Sequence, residues 1–231
     1  MEMPEITPDL LLKAYSVGVF PMAEDHDDPE IFWVDPRMRG ILLLDQFHVP
    51  RRLRRTVRSS LYDVTANTDF NAVIEACAEI ANDRPRTWIN TKIIDLYTSL
   101  HRMGHAHSLE CWRDGKLAGG LYGVKLGGVF FGESMFSHQR DASKVALVHL
   151  MYRMHAGNYA FVDTQFITKH LTQFGAIEIP RQQYSVMLDA ALKLNSDFNA
   201  PISKQTIESV LRDNFKTARP LTKKNNPIAA S

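Results

Sequence analysis

Two turn signals confine the middle of this sequence to an antiparallel sheet. Asp114-Gly115 and Gly127-Gly128 separate three apolar runs, Ser108–Arg113, Lys116–Val124 and Gly128–Phe131. Such dipeptides supply the positive φ angles that tight hairpins need, so the spacing predicts a three-stranded meander. Helical patterns surround it. Thr7-Pro8-Asp9 reads as a capped helix start closed by Gly18, and further helices are predicted over Pro50–Ser59, Asp69 to about Ile80, and Thr91–Met103 with Gly104 as its stop. A long helix should open at Asp141 and run to His155, followed by shorter ones at Thr168–Phe174 and Pro180–Lys193. Strands are predicted at Ile41–Leu44, Tyr62–Ala66, Tyr159–Gln165 and Ile177–Ile179. This order gives an α+β class, with helices covering a mainly antiparallel sheet.

The chain divides on the same reading into three parts. Residues 1–40 form a small N-terminal domain with one helix and short strands around Phe20-Pro21-Met22 and Trp33-Val34. Residues 41–195 form the main domain. Residues 196–231 are a C-terminal extension, helical over Ser203–Phe215, with a polar, mobile end from Lys216.

Charge excludes some functions. A net charge of +1 over 231 residues gives no global basic field, so any nucleic-acid site must come from local clustering of Lys and Arg. Cys77 and Cys111 are too far apart for a CxxC site or a disulfide framework. The N-terminus carries no signal peptide and no apolar run approaches a membrane span, which predicts a cytoplasmic protein without a membrane partner.

Local clustering does occur at Arg51, Arg52, Arg54, Arg55 and Arg58. On a helix, Arg51, Arg54, Arg55 and Arg58 share one face while Leu53 and Val57 turn to a core. Four guanidinium groups on one stripe suit an external phosphate chain; a solvated basic face is the alternative. Two acidic sites follow apolar strands. Glu133, with Ser134 and Ser137, comes directly after Val129-Phe130-Phe131, and it can hold an ammonium group or serve as an ordinary loop acid. Asp163 and Gln165 end the run Ala160-Phe161-Val162 and face the same side, where they can orient an amine or take a proton. Gly119-Gly120-Leu121-Tyr122-Gly123 lies inside a strand, so it reads as a bulge or the close approach of a ligand and not as a phosphate loop. His105 and His107 share a face but lack a third ligand at a familiar spacing. Trp33 and Trp88 are core aromatics or stacking platforms for a base.

Taken together the chain resembles the leucyl/phenylalanyl-tRNA–protein transferases from Leu10 to about Leu192. The strings that carry this include Gly18-Val19-Phe20-Pro21, Phe47-His48-Val49-Pro50-Arg51, Thr87-Trp88-Ile89, Gly104-His105-Ala106-His107-Ser108-Leu109-Glu110, Gly132-Glu133-Ser134-Met135-Phe136-Ser137, Asp141-Ala142-Ser143-Lys144 and Asp163-Thr164-Gln165. The resemblance implies an acetyltransferase-like (GNAT) main domain. It implies transfer of Leu or Phe from aminoacyl-tRNA to acceptor proteins beginning with Lys or Arg, creating a degradation signal. It places Asp163 and Gln165 where the family orients and helps deprotonate the attacking amine. It places Glu133, Ser137 and Trp88 at the aminoacyl-adenosine end, and Leu121, Phe130, Leu147, Met154 and Val162 around the amino-acid side chain. Arg51 and Arg55, with Arg54 and Arg58 on the same stripe, fall at the tRNA. The ester arrives activated, so no cofactor or metal is expected, and the enzyme is expected to act as a monomer.

The sequence departs from the family pattern in places. Met22 follows Phe-Pro where the family usually has Trp, and the Trp-Trp-Ser-Pro-Asp-Pro-Arg string is reduced to Trp33-Val34-Asp35-Pro36-Arg37-Met38-Arg39. The N-terminal domain is shorter than usual and the C-terminal tail longer. Three alternatives therefore stand: transfer of arginine to acidic N-termini, a tRNA-binding module without catalysis, and an acyl-coenzyme A acetyltransferase. The last would need a pyrophosphate loop before the long helix, and His138-Gln139-Arg140-Asp141 is not one.

Overall fold

The computed structural model describes residues 6–80 and 86–212. The predicted mobile end from Lys216, and the last residues of the predicted helix ending at Phe215, lie outside the described residues.

In chain order the elements are α1 (Pro8–Ser16), β1 (Phe20–Met22), β2 (Phe32–Val34), β3 (Met38–Leu43), α2 (Arg51–Arg58), β4 (Asp63–Ala66), α3 (Phe70–Ala78), α4 (Thr91–Arg102), β5 (Ala106–Arg113), β6 (Lys116–Leu126), β7 (Val129–Ser137), α5 (Ala142–Ala156), β8 (Phe161–Gln165), α6 (Lys169–Thr172), β9 (Ile177–Pro180), α7 (Arg181–Ala191) and α8 (Lys204–Val210). Seven strands form one sheet in the order β4-β5-β6-β7-β8-β3-β9, and β1 and β2 form a separate hairpin. The predicted caps Thr7 and Asp69 accept from first-turn amides of α1 and α3, and Asn90 caps α4 in the same way.

Helices cover both faces of the sheet. Leu11, Tyr15, Phe70, Val73, Ile93, Tyr97, Tyr184 and Leu188 bury one apolar layer with Tyr122 and Phe131. Leu53, Val145, Leu147, Met151, Leu171 and Val210 bury the other with Leu121, Phe130 and Val162. The α+β class, the sheet flanked by helices and a small N-terminal unit are thus present. Among the described residues, no helix is long and apolar enough to cross a membrane.

Every neighbouring pair in the large sheet is antiparallel except β7 and β8, which run parallel. That pair is short. Val129–Phe131 match Phe161–Asp163, after which β7 continues to Ser137 on β6 alone. The strands therefore part beyond Phe131 and Asp163, and a gap opens between their ends.

Two strand limits differ from the sequence reading by more than two residues. Gly132–Ser137, read as the segment after a strand, is strand, because its ladder to Gly119–Gly123 of β6 continues through a bulge at Tyr122/Gly123. Its polar residues look like a loop in sequence because they face the gap. Likewise Met38–Gly40, read as irregular, extend β3 by pairing with Glu178–Pro180.

The glycines of β6 include a bulge, as predicted, but the close approach they allow is of neighbouring strands and α5 and not of a ligand. A Cβ on Gly123 would lie 2.2 Å from the Phe131 carbonyl oxygen and 2.5 Å from the Phe130 ring. Neither neighbour is a flexible tip. Gly123→Ala is therefore expected to destabilise the protein by about 3 kcal/mol, the upper end of overpacking costs. Chemical denaturation checks this, and an unchanged midpoint would mean the strands can spread.

Candidate active site

The gap between β7 and β8 is the mouth of a pocket of about 320 Å³. Its deeper walls are apolar: Leu121, Met135, Leu147, Leu150, Val162 and Leu171. Phe20, Met22, Trp88 and Phe166 also line it, and Glu133 and Gln165, with Ser134 and Thr164, bring polar groups from the two parted strands. One apolar chamber with a few convergent polar groups is the usual build of a small-molecule site.

Glu133 is held by two tyrosines. The Tyr15 hydroxyl, from α1, donates to Glu133 Oε1 at 2.7 Å, and the Tyr97 hydroxyl, from α4, donates to Oε2 at 3.1 Å. The two hydroxyls are also within hydrogen-bond reach of each other, so two hydroxyl protons are shared among the three contacts of this triangle. Burial, then the charge of Glu133, holds both tyrosines well above their usual range, so they remain donors. Burial also pushes the Glu133 carboxyl up to about 7, with the Asp163 charge adding to it, against the tyrosine hydrogen bonds that lower it.

Gln165 sits beside it. Its Nε2 donates to Glu133 Oε1 at 3.3 Å, which leaves the amide oxygen as an acceptor toward the pocket. The residue occupies the left-handed region at φ +55, unusual for a side chain of this size. What fixes it there is Asp163, whose Oδ1 accepts from the Gln165 backbone N–H at 2.9 Å.

Asp163 is 0% exposed and makes no contribution to the pocket surface. Arg39, also 0% exposed, grips it: Nε lies 2.9 and 3.0 Å from the two carboxylate oxygens, and Nη2 donates to Oδ2 at 2.8 Å. The Tyr184 hydroxyl donates to the same Oδ2 at 2.5 Å. The guanidinium lies over the Phe20 and Tyr184 rings and donates from Nη1 to the Gly18 carbonyl. The arrangement is a fully satisfied buried ion pair that braces Gln165.

The other expected site residues divide. Glu133, Trp88, Leu121, Leu147, Val162 and Gln165 line one pocket. Phe130 and Met154 are fully buried in the layer behind it. Ser137 lies outside: its Oγ donates to the Gln139 carbonyl at 2.7 Å and accepts from Ser143 N at the start of α5. Arg51, Arg55 and Arg58 are exposed along α2 with Leu53 buried beneath, whereas Arg54 is half-buried. His107 packs on Phe198 and meets Asn67, and among the described residues no group of His, Cys, Asp or Glu could hold a metal ion.

Sequence reasoning missed Arg39, Tyr184, Tyr15, Tyr97 and Phe166. The tyrosines sit at helical spacing from Leu11, Ile93 and Leu188, so their pattern reports only a core face. A lone arginine beside Met38 and Gly40 reads as surface. Phe166, 46% exposed at the pocket mouth, follows Gln165 directly and was the one detectable signal: a large apolar residue after a polar strand end.

Comparison with known proteins identifies the family. The model of the family described as leucyl/phenylalanyl-tRNA protein transferase matches residues 41–189, and that of the same family's N-terminal domain matches residues 4–37. A leucyl/phenylalanyl-tRNA–protein transferase of Nitrobacter winogradskyi is 59% identical over 196 residues, covering 85% of this chain and 87% of its own. One from Rhodopseudomonas palustris strain HaA2 is likewise 59% identical over 196 residues, covering 85% and 88%. A solved Staphylococcus epidermidis structure, described as a functionally unknown conserved protein, aligns at TM-score 0.41 and 11% identity over 76% of this chain and 65% of that one, too distant to add to the fold.

Two measurements test the site. Arg39→Met strands the Asp163 charge in the core and is expected to cost about 3–5 kcal/mol, much of it recovered in the double variant Arg39→Met/Asp163→Leu. A double variant no better than the single would refute the ion-pair reading. For Glu133, the carboxyl rises from 4.5 to about 7 on folding, so between those values the folded chain holds a proton that the unfolded chain releases. Its contribution to stability therefore falls as pH rises through that window. Thermal melts of Glu133→Gln should lie nearest the unaltered protein at pH 5 and above it at pH 8; a gap that does not widen with pH would contradict this.

Proposed function

This chain belongs to the leucyl/phenylalanyl-tRNA–protein transferase family, an aminoacyltransferase enzyme family, and on that premise we propose that it moves Leu or Phe from aminoacyl-tRNA to the N-terminal Lys or Arg of acceptor proteins. The product is a degradation signal, and the enzyme works in the cytoplasm as a monomer. The observation that carries the reading is an apolar chamber closed at its mouth by a carboxylate and an amide on parted strands.

The chemistry follows from those groups. Leu121, Leu147, Leu150 and Val162 receive the donor side chain. Glu133 in its ionised form accepts from the donor's α-ammonium, and Trp88 flanks the terminal adenosine. The Gln165 amide oxygen accepts an N–H of the acceptor's α-amine and aims its lone pair at the ester carbonyl. The C–N bond forms, the ester C–O bond breaks, and the amine proton ends on the ribose oxygen that leaves. Asp163, enclosed by Arg39 and Tyr184, serves by fixing the backbone of Gln165. The exposed Arg51, Arg55 and Arg58, with Arg54 beside them, hold tRNA phosphates.

The division at residues 40 and 195, and an acetyltransferase-like fold for the larger part, belong to the same reading. The parting of two parallel strands at a substrate site supports that fold. Apolar walls favour Leu or Phe over Arg as the donor, because among the described residues the only carboxylate lining the pocket is the one the ammonium occupies.

Radiolabel transfer from tRNA charged with Leu, Phe, Met or Arg to peptides starting with Lys, Arg, Asp or Glu tests the proposal. Leu or Phe should move to Lys or Arg. Gln165→Ala should lower kcat by about a hundredfold, within the range of lost proton-handling groups. Arg moving to Asp or Glu would overturn the substrate assignment, and no transfer in any pairing would favour a binding module.

A further inference from the structure

The arginine stripe on α2 leaves one member of its cluster unused. At about 100° per residue, Arg52 points a quarter turn away from Arg51, with Thr56 one turn behind it. Both side chains line a cleft of about 290 Å³. Its other walls are Arg113, at the end of β5, and Gln139, Arg140 and Asp141, between β7 and α5.

Three guanidinium groups from three separate elements thus meet in one concavity. Their local partners do not neutralise them. Asp141 already accepts from Lys144 Nζ at 2.8 Å and lies 3.7 Å from Arg140 Nε, and Asp114 is 3.8 Å from Arg113 Nε. Counting Arg52, Arg113, Arg140 and Lys144 against Asp114 and Asp141 leaves two positive charges. The loop is fixed in place: the Tyr62 hydroxyl donates to the Arg140 carbonyl at 2.7 Å, and Gln139 Oε1 accepts from Arg113 Nη1 at 3.3 Å. Gathering like charges on a rigid loop opposes folding unless an anion joins them, and guanidinium forks fit phosphate oxygens.

The position of the cleft indicates which phosphate. β7 runs from Glu133, at the pocket, to Ser137, which is roughly 13 Å further on at strand rise. The Ser137 hydroxyl is bonded to the Gln139 carbonyl, so the far end of β7 is tied to the cleft. Over this stretch, the β7 edge facing β8 is unpaired.

We propose that this cleft binds a backbone phosphate of the donor tRNA a short way back from its aminoacylated end. That contact sets the path of the strand along β7 into the pocket. The proposal rests on the transferase reading and adds a second anchor, separate from the α2 stripe.

The test compares full-length protein with the triple variant Arg52→Gln/Arg113→Gln/Arg140→Gln, and with Arg51→Gln/Arg55→Gln as the stripe control. Binding of leucyl-tRNA is measured against salt, and transfer to an Arg-initiated peptide is measured from leucyl-tRNA and from leucyl-adenosine. In the triple variant, tRNA affinity should fall about tenfold, and the slope of log affinity against log salt should shrink by about one. Transfer from leucyl-adenosine, which has no backbone phosphate, should be unchanged. Unaltered affinity and slope in the triple variant, with the stripe variant weakened, would overturn the cleft alone. Loss of leucyl-adenosine transfer would mean that the arginines act through the pocket's structure, and would also overturn it. Failure of the unaltered protein to bind or use leucyl-tRNA would remove the transferase reading beneath it.

Discussion

The buried contact between Arg39 and Asp163 is the interaction on which the site's shape depends. It joins β3 to β8, reaches the loop after α1 through the Gly18 carbonyl, and is closed from α7 by Tyr184. Burying two charges is costly, and apolar residues of similar volume often serve stability as well or better. What the pair supplies is position. A carboxylate already tied to a rigid fork and a phenol can hold one more donor, the Gln165 backbone, in a conformation that the chain would otherwise abandon.

Electrostatics then separates two carboxylates that sit close together. Asp163 has a guanidinium against it; Glu133 has only neutral hydroxyls and an amide as direct partners. The first stays matched with no ligand present. The second is pushed up to about 7, which is the mark of an acid waiting for a cation. In the proposed reaction the donor's ammonium group is the cation that Glu133 lacks among its direct partners.

Much of this was legible in the sequence. Turn dipeptides gave the meander, and capping residues gave the starts of α1 and α3. Alternation, which put Asp163 and Gln165 on one side, did not anticipate that Gln165 leaves the strand conformation at φ +55 and lines the pocket while Asp163 stays enclosed. The pocket's apolar wall was legible too, through Leu121, Leu147 and Val162. What stayed hidden depends on long-range pairing. Nothing local marks Arg39 as a core residue, because its partner is 124 positions away. Nor could the polar run Gly132–Ser137 declare itself a strand, since its ladder depends on the small residues of β6. Phe130 and Met154 were identified as pocket wall but lie one layer deeper, a distinction of depth that a period-two or period-3.6 pattern cannot make.

The glycines of β6 carry a lesson about signatures. At Gly119 a methyl group would meet Ala142 at 2.6 Å, and at Gly123 it would meet the neighbouring strand's backbone at 2.2 Å. Neither glycine lines the pocket. A string built around them can therefore be as diagnostic of this architecture as the acid and amide proposed to handle substrate, for a reason unrelated to the reaction. It records how near two strands and a helix must come. A descendant that lost the chemistry but kept the fold would still be expected to bear it, so the motif identifies lineage, and it is Glu133 and Gln165 that bear on the proposed reaction.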